Sequence, residues 1–223
     1  MKTEIFEFNG YQATVILPEN PNGKWIWKTE FLYAFDAAER ALVDLGYTRV
    51  YYSVSNKYGS DKAVRLMREF HKMLIKKYPL QEKTNLFGFS RGGLYAFNYA
   101  LYYPEFVEKI YLDAPVLDLK TWPWPNSVEQ AQLFEEFCLD ENTFQKFANS
   151  PVDNLKEFFG NERKLLVVAG GKDEVVPFEE NSGRLVNYCK ENGIEIEFYF
   201  KPECGHHPHS LEDVTPIVKF IER

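Results

Sequence analysis

The sequence predicts an α/β fold in which a mostly parallel sheet carries helices on both faces. Apolar runs of strand length alternate with amphipathic helical patterns of about 10–15 residues, as in successive βαβ units. Residues 109–115 (KIYLDAP) and 164–170 (KLLVVAG) are almost continuously apolar, which is typical of parallel strands covered on both faces. With 45% hydrophobic residues, the chain can bury a large core, and we expect residues 1–223 to form a single domain.

The N-terminal segment predicts a β-hairpin, a strand and a helix, in that order. Residues 4–18 form two runs separated by Asn9-Gly10, a dipeptide that favours a two-residue hairpin turn. The short apolar run at 24–27 predicts a strand, and the spacing of apolar residues over 31–45 predicts a helix. The apolar face of that helix would comprise Phe31, Phe35, Ala38, Leu42 and Leu45.

The rest of the chain continues the alternation. Residues 47–55 predict a strand, and an amphipathic helix is expected from Asp61 until the Tyr-Pro pair that precedes residue 80. Residues 84–89 (TNLFGF) predict a strand that leads directly into a helix opened by glycines. Strict alternation over 194–200 predicts a half-exposed strand near a sheet edge, and TPIVKFIER (215–223) predicts a final helix.

One segment interrupts the alternation. Residues 118–160 contain no convincing strand and carry Pro-Trp-Pro near their start, so we expect a mostly helical cap inserted between two core strands. Trp122 and Trp124 would then line a substrate pocket beneath the cap.

Composition excludes several classes of partner. The net charge of −7 argues against an electrostatic surface for nucleic acid or acidic membranes. No segment reaches the roughly 18 apolar residues of a membrane span, and the N-terminus lacks the apolar stretch of a signal peptide. Three cysteines without C-x-x-C spacing favour a reduced, cytoplasmic protein. The oligomeric state is left open.

A serine stands at the junction of a strand and a helix. The sequence GFSRG places Ser90 between Gly88 and Gly92, which is the pattern of a nucleophile elbow. Such a turn raises the serine hydroxyl above the sheet edge and puts the following N–H, that of Arg91, beside it at a helix N-terminus. The pattern therefore predicts Ser90 as a nucleophile and the N–H of Arg91 as an oxyanion donor.

A serine nucleophile needs a base, and the base needs an acid that orients it. Asp113 and Asp173 both follow strand-like runs; we favour Asp173 because its strand is the last one before the histidine segment. Glu174 is a weaker competitor, and Asp113 could instead brace the surroundings of the serine.

Three of the four histidines, His206, His207 and His209, lie in CGHHPHS near the C-terminus. The loop after the last strand would deliver one base to the sheet edge that carries Ser90, and we expect it to be His206, with His207 second. The other imidazoles would brace the loop. A metal site is not expected, since adjacent side chains should point in different directions and no further ligand pair completes a set. No cofactor is expected either.

The motifs GFSRGG, GGKDEVVP and CGHHPH, in the order Ser, Asp, His, resemble the serine hydrolases of the α/β-hydrolase fold. Within this fold, SRGG and the terminal GHHPHSL look more like the esterase and prolyl-oligopeptidase-like lineages than the dehalogenases, whose nucleophile is an aspartate. The resemblance spans nearly the whole chain and implies that Ser90 is the nucleophile, Asp173 the acid and His206 the base.

The oxyanion loop departs from that family pattern. Where esterases of this fold often carry His-Gly, the sequence reads GKWIWKTEF, so the second oxyanion donor is expected to be the N–H of Trp27 or Lys28.

Together these features predict hydrolysis of a carboxylic ester of a small neutral substrate through an acyl-enzyme. A small amidase or peptidase is an alternative. A homologue that binds a ligand without catalysis is another, because a fold alone does not guarantee chemistry.

Overall fold

The computed structural model describes all residues 1–223 and is built around one eight-stranded sheet. The strands are β1 (Lys2–Phe8), β2 (Tyr11–Leu17), β3 (Trp25–Lys28), β4 (Thr48–Tyr52), β5 (Thr84–Phe89), β6 (Val107–Asp113), β7 (Leu165–Gly170) and β8 (Glu197–Lys201). Their order is β1-β2-β4-β3-β5-β6-β7-β8. The pairs β1–β2 and β2–β4 are antiparallel, and every other pair is parallel. The predicted fold class and N-terminal hairpin are confirmed.

Eight α-helices surround the sheet: α1 (Ala37–Asp44), α2 (Asp61–Lys77), α3 (Gly92–Tyr102), α4 (Val128–Phe137), α5 (Glu141–Gln145), α6 (Leu155–Phe158), α7 (Ser182–Glu191) and α8 (Thr215–Glu222). Helices α1 and α8 pack on one face of the sheet. Helices α2, α3 and α7 pack on the other face, together with the inner residues of α4 and α6. No helix is long and apolar enough to span a membrane.

The central strands are apolar throughout because both of their faces are buried. Trp25, Trp27 and Leu86 contribute to the core beneath α2 and α3. Ile26 and Phe87, which alternate with them along β3 and β5, contribute to the core beneath α1 and α8. Successive strand residues point to opposite faces, so a sheet covered on both sides needs an uninterrupted apolar run.

A buried ion pair fixes α1 to the sheet. Lys28, the last residue of β3, donates to the carboxylate of Glu39, and both side chains are fully buried. The Lys28 ammonium also lies 3.1 Å from the centroid of the Phe89 ring. Removing one partner would leave the other charged and buried, which typically costs about 3–5 kcal/mol.

The helix expected over 31–45 begins only at Ala37, so that expectation was wrong for its first turn and a half. Residues 29–36 instead form a loop, in which Phe31 and Phe35 have positive φ values of 56° and 49°. Both phenylalanines are 39% exposed. The 3–4 spacing of apolar residues therefore reflected a loop with surface aromatics followed by a shorter helix.

Residues 118–160 lie between β6 and β7 and contain α4, α5 and α6 but no strand. At the opposite end of the sheet order from the hairpin, β8 is an edge strand, in line with its alternating pattern. The carboxyl ends of β3, β5, β6, β7 and β8 all meet at one edge of the sheet, since these strands are parallel. Ligands of open α/β sheets bind at this edge.

Candidate active site

Ser90 lies on a sharp turn between β5 and α3. Its φ of 50° is in the left-handed region, which is unfavourable for a residue with a side chain. Hydrogen bonds hold the turn: the Ser90 N–H donates to Asp113 O over 3.0 Å, and Ser90 O accepts from Val116 N at 2.9 Å. The neighbouring strand therefore stabilises a conformation that lifts the Ser90 side chain out of the sheet.

Two glycines permit this close packing. A Cβ on Gly88 would lie 2.8 Å from Ala96 Cβ, and one on Gly93 would lie 2.5 Å from Pro115 Cβ. Since real Cβ atoms do not approach so closely, β5, α3 and the segment after β6 meet only because both positions lack side chains.

The structure brings the three predicted side chains together. His206 Nε2 lies 3.0 Å from Ser90 Oγ, and His206 Nδ1 lies 2.8 Å from Asp173 Oδ2. The other oxygen of Asp173, Oδ1, accepts the N–H groups of Val175 and Val176 at 3.0 and 2.8 Å. These two bonds orient the carboxylate so that Oδ2 faces the imidazole.

The environment of these groups favours one histidine tautomer. The side chains of Asp173 and His206 are only 2% and 7% exposed. A carboxylate can only accept, so Nδ1 of His206 carries the hydrogen and Nε2 is left to accept the Ser90 hydroxyl. The arrangement can therefore move a proton from serine to histidine.

The loops that carry Asp173 and His206 are tied to each other. Lys172 N donates to Cys204 O over 2.9 Å. A Cβ on Gly170 would lie only 2.4 Å from Gly205 O, so the histidine loop rests directly on the end of β7. The close contact with the histidine loop therefore explains why residue 170 is a glycine.

Asp113, the alternative acid, pairs with a different histidine. Its Oδ1 lies 2.7 Å from His209 Nδ1, while Oδ2 accepts Ser210 N at 2.7 Å and the Tyr111 hydroxyl at 2.5 Å. Complete burial and the neighbouring Asp113 charge raise the pKa of Tyr111 well above its ordinary value. This second histidine–aspartate pair was not predicted, because the role expected of His209 was to brace the loop backbone.

The three C-terminal imidazoles form a compact cluster, although they were expected to diverge. The ring centroids of His206, His207 and His209 are 4.9 Å apart in every pair. His207 is exposed and stacks on Phe35, with centroids 5.6 Å apart and planes at 15°. Partial desolvation and the neighbouring imidazoles lower the pKa of His207.

Trp27 is not placed to donate to an oxyanion, which corrects the sequence-based expectation. It lies inside β3 between Val50 and Leu86 of the flanking strands, and its ring packs in the core. The ladder continues past Lys28, because Thr29 N donates to the next strand over 3.0 Å. The backbone N–H groups of β3 therefore donate hydrogen bonds within the sheet.

The loop after β3 offers free donors instead. The backbone N–H groups of Glu30 and Phe31 make no hydrogen bond within the protein, and neither does that of Arg91 at the start of α3. A Cβ on Gly92 would lie 3.4 Å from Glu30 N, so this loop touches the serine turn. The donors of this loop were not predicted because the second oxyanion donor was expected earlier in the chain, at Trp27 or Lys28.

An ion pair fixes this loop to the serine turn. The Glu30 carboxylate accepts from Arg91 Nη2 and Nε at 3.1 and 3.3 Å, and from Ser55 Oγ at 2.7 Å. The Glu30 side chain is 2% exposed and the Arg91 side chain 20%. The Arg91 guanidinium also lies 5.2 Å from the Phe31 ring centroid.

Trp122 and Trp124, the tryptophans of segment 118–160, have different surroundings. Trp122 is half-buried, and its ring lies 6.1 Å from the ring of Tyr58. Tyr58 belongs to the loop at 55–59 and is itself held in place, because its backbone N–H donates to the Tyr95 hydroxyl. Trp124 is 56% exposed. Only Trp122 is packed against the body of the protein.

A serine on a strand–helix turn, with a histidine bridging it to an aspartate at the carboxyl edge of a parallel sheet, defines a class: the serine hydrolases of the α/β-hydrolase fold. The chain belongs to the prolyl oligopeptidase family, whose family model matches residues 46–223. No curated protein matches the chain in sequence.

Solved structures share the fold at low identity. An acylaminoacyl peptidase in complex with Z-Gly-Gly-Phe-chloromethyl ketone has a TM-score of 0.73 and 16% identity, covering 100% of this chain and 41% of its own. A puromycin-hydrolysing peptidase from Mycobacterium tuberculosis has a TM-score of 0.72 and 13% identity, covering 99% and 38%. A carboxylesterase from Lactobacillus plantarum WCFS1 has a TM-score of 0.66 and 14% identity, covering 92% and 85%. The chain thus spans about two fifths of the two peptidases and is similar in size to the esterase.

Proposed function

We propose that the protein hydrolyses carboxylic esters of small neutral substrates, with Ser90 as nucleophile, His206 as base and Asp173 as orienting acid. The observation that carries the proposal is the position of His206, whose two nitrogens lie 3.0 Å from Ser90 Oγ and 2.8 Å from Asp173 Oδ2. A nucleophile within hydrogen-bond reach of a base, which is in turn oriented by a third group, is the pattern of nucleophilic catalysis.

In the first half-reaction, Ser90 Oγ attacks the ester carbonyl while its proton passes to His206 Nε2. Asp173 stabilises the imidazolium that forms and keeps it oriented. The imidazolium then protonates the leaving alcohol, and an acyl-serine remains. In the second half-reaction water attacks the acyl-serine by the same route, which releases the acid and restores the Ser90 hydroxyl.

The negative charge on the carbonyl oxygen needs donors that are already in place. We assign this role to the N–H of Arg91 and to an N–H of the loop after β3, that of Glu30 or Phe31. None of the three has a partner within the protein. The Glu30–Arg91 ion pair would keep the two sides of this oxyanion hole at a fixed separation.

The substrate would lie against aromatic side chains. We propose that Trp122 forms a wall of the pocket and that Trp124, which is exposed, closes over a bound molecule. Phe31, near Arg91, and Phe35, near His207, add exposed aromatic surface from the loop at 29–36. Aromatic faces and a net charge of −7 favour neutral rather than anionic substrates.

The test is hydrolysis of short-chain p-nitrophenyl esters by the purified protein and by Ser90→Ala. We expect turnover by the natural chain, labelling of Ser90 by a fluorophosphonate, and loss of both in the variant. Full activity in Ser90→Ala would refute the mechanism. A protein that neither turns over esters nor reacts with the fluorophosphonate would be a non-catalytic binding homologue.

A peptidase or small amidase is the second candidate, and the family match favours it, as do the two peptidases of similar fold. The carboxylesterase of similar fold and size favours the ester. Parallel assays on p-nitrophenyl esters and aminoacyl p-nitroanilides separate the two, because both reactions use the same serine and release the same type of chromophore.

A further inference from the structure

The cluster of His206, His207 and His209 has a geometry that the hydrolytic proposal does not explain. Each residue presents a ring nitrogen within 4.8 Å of those of the other two. The ring centroids are 4.9 Å apart in all three pairs, with planes at 66°, 78° and 90°. The three rings therefore pack edge to face on one another at equal centroid separations.

The spacing of the ring centroids is close to that of a three-histidine metal site. With zinc about 2.1 Å from each nitrogen and the ring centre about 1.1 Å further on, centroids in a tetrahedral site lie about 5 Å apart. A tetrahedral site places the nitrogens about 3.4 Å apart, closer than the 4.8 Å within which they lie here, so the imidazoles would have to draw together on binding. His207 is exposed and its ring makes no hydrogen bond, so of the three it can move most easily, at the cost of its stacking on Phe35.

The second shell of such a site is also present. His206 Nδ1 is held by Asp173 and His209 Nδ1 by Asp113, at 2.8 and 2.7 Å. A carboxylate on one ring nitrogen orients the imidazole, increases its basicity and leaves the other nitrogen for a metal. The His209 side chain is only 4% exposed, yet its Nε2 makes no hydrogen bond within the protein.

We propose that His206, His207 and His209 bind one divalent transition-metal ion, of which Zn²⁺ best fits three imidazoles in a tetrahedral arrangement. Two buried carboxylates behind the ligands balance the charge of the ion. An ion held through Nε2 of His206 would occupy the atom that accepts the Ser90 proton. The ion is therefore an inhibitor of hydrolysis; this consequence, unlike the binding itself, rests on the proposed function.

Binding is tested without reference to activity. Untagged protein is stripped with EDTA, titrated with Zn²⁺ by calorimetry, and titrated with Co²⁺ while the visible absorption of tetrahedral cobalt is followed. We expect one ion per chain. His207→Ala should bind at least about tenfold more weakly, and because His207 is exposed this variant should fold normally.

Cys204→Ser is the matched control, since Cys204 lies in the same loop and its thiol donates to His207 O at 3.5 Å. It should bind zinc as tightly as the natural protein. Equal zinc affinity in His207→Ala and the natural protein would overturn the proposal, as would a loss of binding in Cys204→Ser alone.

Inhibition is tested with a p-nitrophenyl ester, each variant being compared with its own metal-free rate. The midpoint of zinc inhibition should equal the calorimetric Kd, EDTA should restore the rate, and His207→Ala should need at least about tenfold more zinc. Undiminished hydrolysis by zinc-saturated protein would overturn the inhibitory role. If no ester is turned over, the proposed function fails, and calorimetry with the cobalt spectrum still decides the metal site.

Discussion

His71 and His206 are both shielded from solvent, but they face different partners. His71, on α2, donates from Nε2 to the carbonyl of Glu82 at 2.8 Å and accepts the Tyr99 hydroxyl at Nδ1 over 2.6 Å. Neither partner is charged, and burial lowers the pKa of His71 to about 4. His71 is therefore a neutral part of the core, packed against Trp25 with ring centroids 4.8 Å apart.

His206 lies at the sheet edge with a carboxylate on one nitrogen and a serine hydroxyl on the other. His209 likewise has a carboxylate on Nδ1, and its second nitrogen is free. A carboxylate favours the positive charge that proton transfer or a metal brings, whereas a carbonyl and a phenol in the core do not. Burial alone therefore does not distinguish the structural histidine from the reactive ones; the hydrogen-bond partner of each imidazole does.

The largest expected effect comes from removing the proposed base. His206→Ala should lower kcat on a p-nitrophenyl ester by about 10⁶-fold, as removal of a triad histidine does elsewhere. His71→Gln, which removes a histidine from the core, should keep kcat close to that of the natural protein and lose stability instead. Measuring kcat together with thermal unfolding for both variants checks the contrast. Comparable losses of kcat in the two folded variants would show that the distinction is mistaken.

The second largest effect should distinguish the two histidine–aspartate pairs. Asp173→Asn should lower kcat by about 10⁴-fold, because an amide holds the imidazole in the wrong tautomer. Asp113→Asn leaves the bridge from Asp173 to Ser90 intact and should cost mainly stability, about 1–3 kcal/mol for the weakened buried hydrogen bonds.

Steady-state kinetics and urea unfolding of the two asparagine variants check this ranking. A larger loss of kcat in Asp113→Asn than in Asp173→Asn would make Asp113 the functional acid and reverse the assignment of the pairs.

Much of the candidate active site could be predicted from the sequence. The positions of Ser90, Asp173 and His206 follow from local patterns: glycines around a serine after a strand, and a polar residue at the end of each later parallel strand. A parallel sheet brings such strand ends to one edge, so chain order and strand assignment narrowed the acid to Asp113 or Asp173 and the base to the histidine segment.

What the sequence could not predict depends on contacts between distant segments. The partner of His209 is Asp113, 96 residues away, and no local pattern distinguishes it from a turn aspartate. The loop at 29–36 has helical spacing, yet Glu30 is held to Ser55 and Arg91 and the loop stays open. Tertiary contacts outweighed a weak local preference there.

The pH dependence of stability should contain a contribution from His71. Its pKa is about 4 in the folded protein against 6.5 for the free side chain, so between these values the unfolded chain binds a proton that the folded chain does not. The stabilisation is therefore complete above pH 6.5 and is lost as the pH falls to about 4, by about 3 kcal/mol in total.

Unfolding free energies from urea titrations at several pH values check this contribution. His71→Gln has no titrating group at that position, so its stability should fall less steeply than that of the natural protein over the same range. Carboxylates contribute equally to both curves and cancel in the comparison. Parallel curves for the two proteins would show that His71 does not stay neutral in the core.

The smallest expected effect is that of His207→Ala in metal-free protein. His207 is exposed, its ring makes no hydrogen bond, and its only close ring partner outside the histidine cluster is Phe35. We expect kcat/KM to change by less than about threefold, which corresponds to about 0.6 kcal/mol in the activation free energy. His206 and His207 are adjacent in sequence and have the same side chain, so the sequence alone does not decide which one is the base. Comparison of His207→Ala with His206→Ala does. A loss as large as that of His206→Ala would assign the proton to His207, and the bridge between Ser90 and Asp173 would then be a resting arrangement that the reaction does not use.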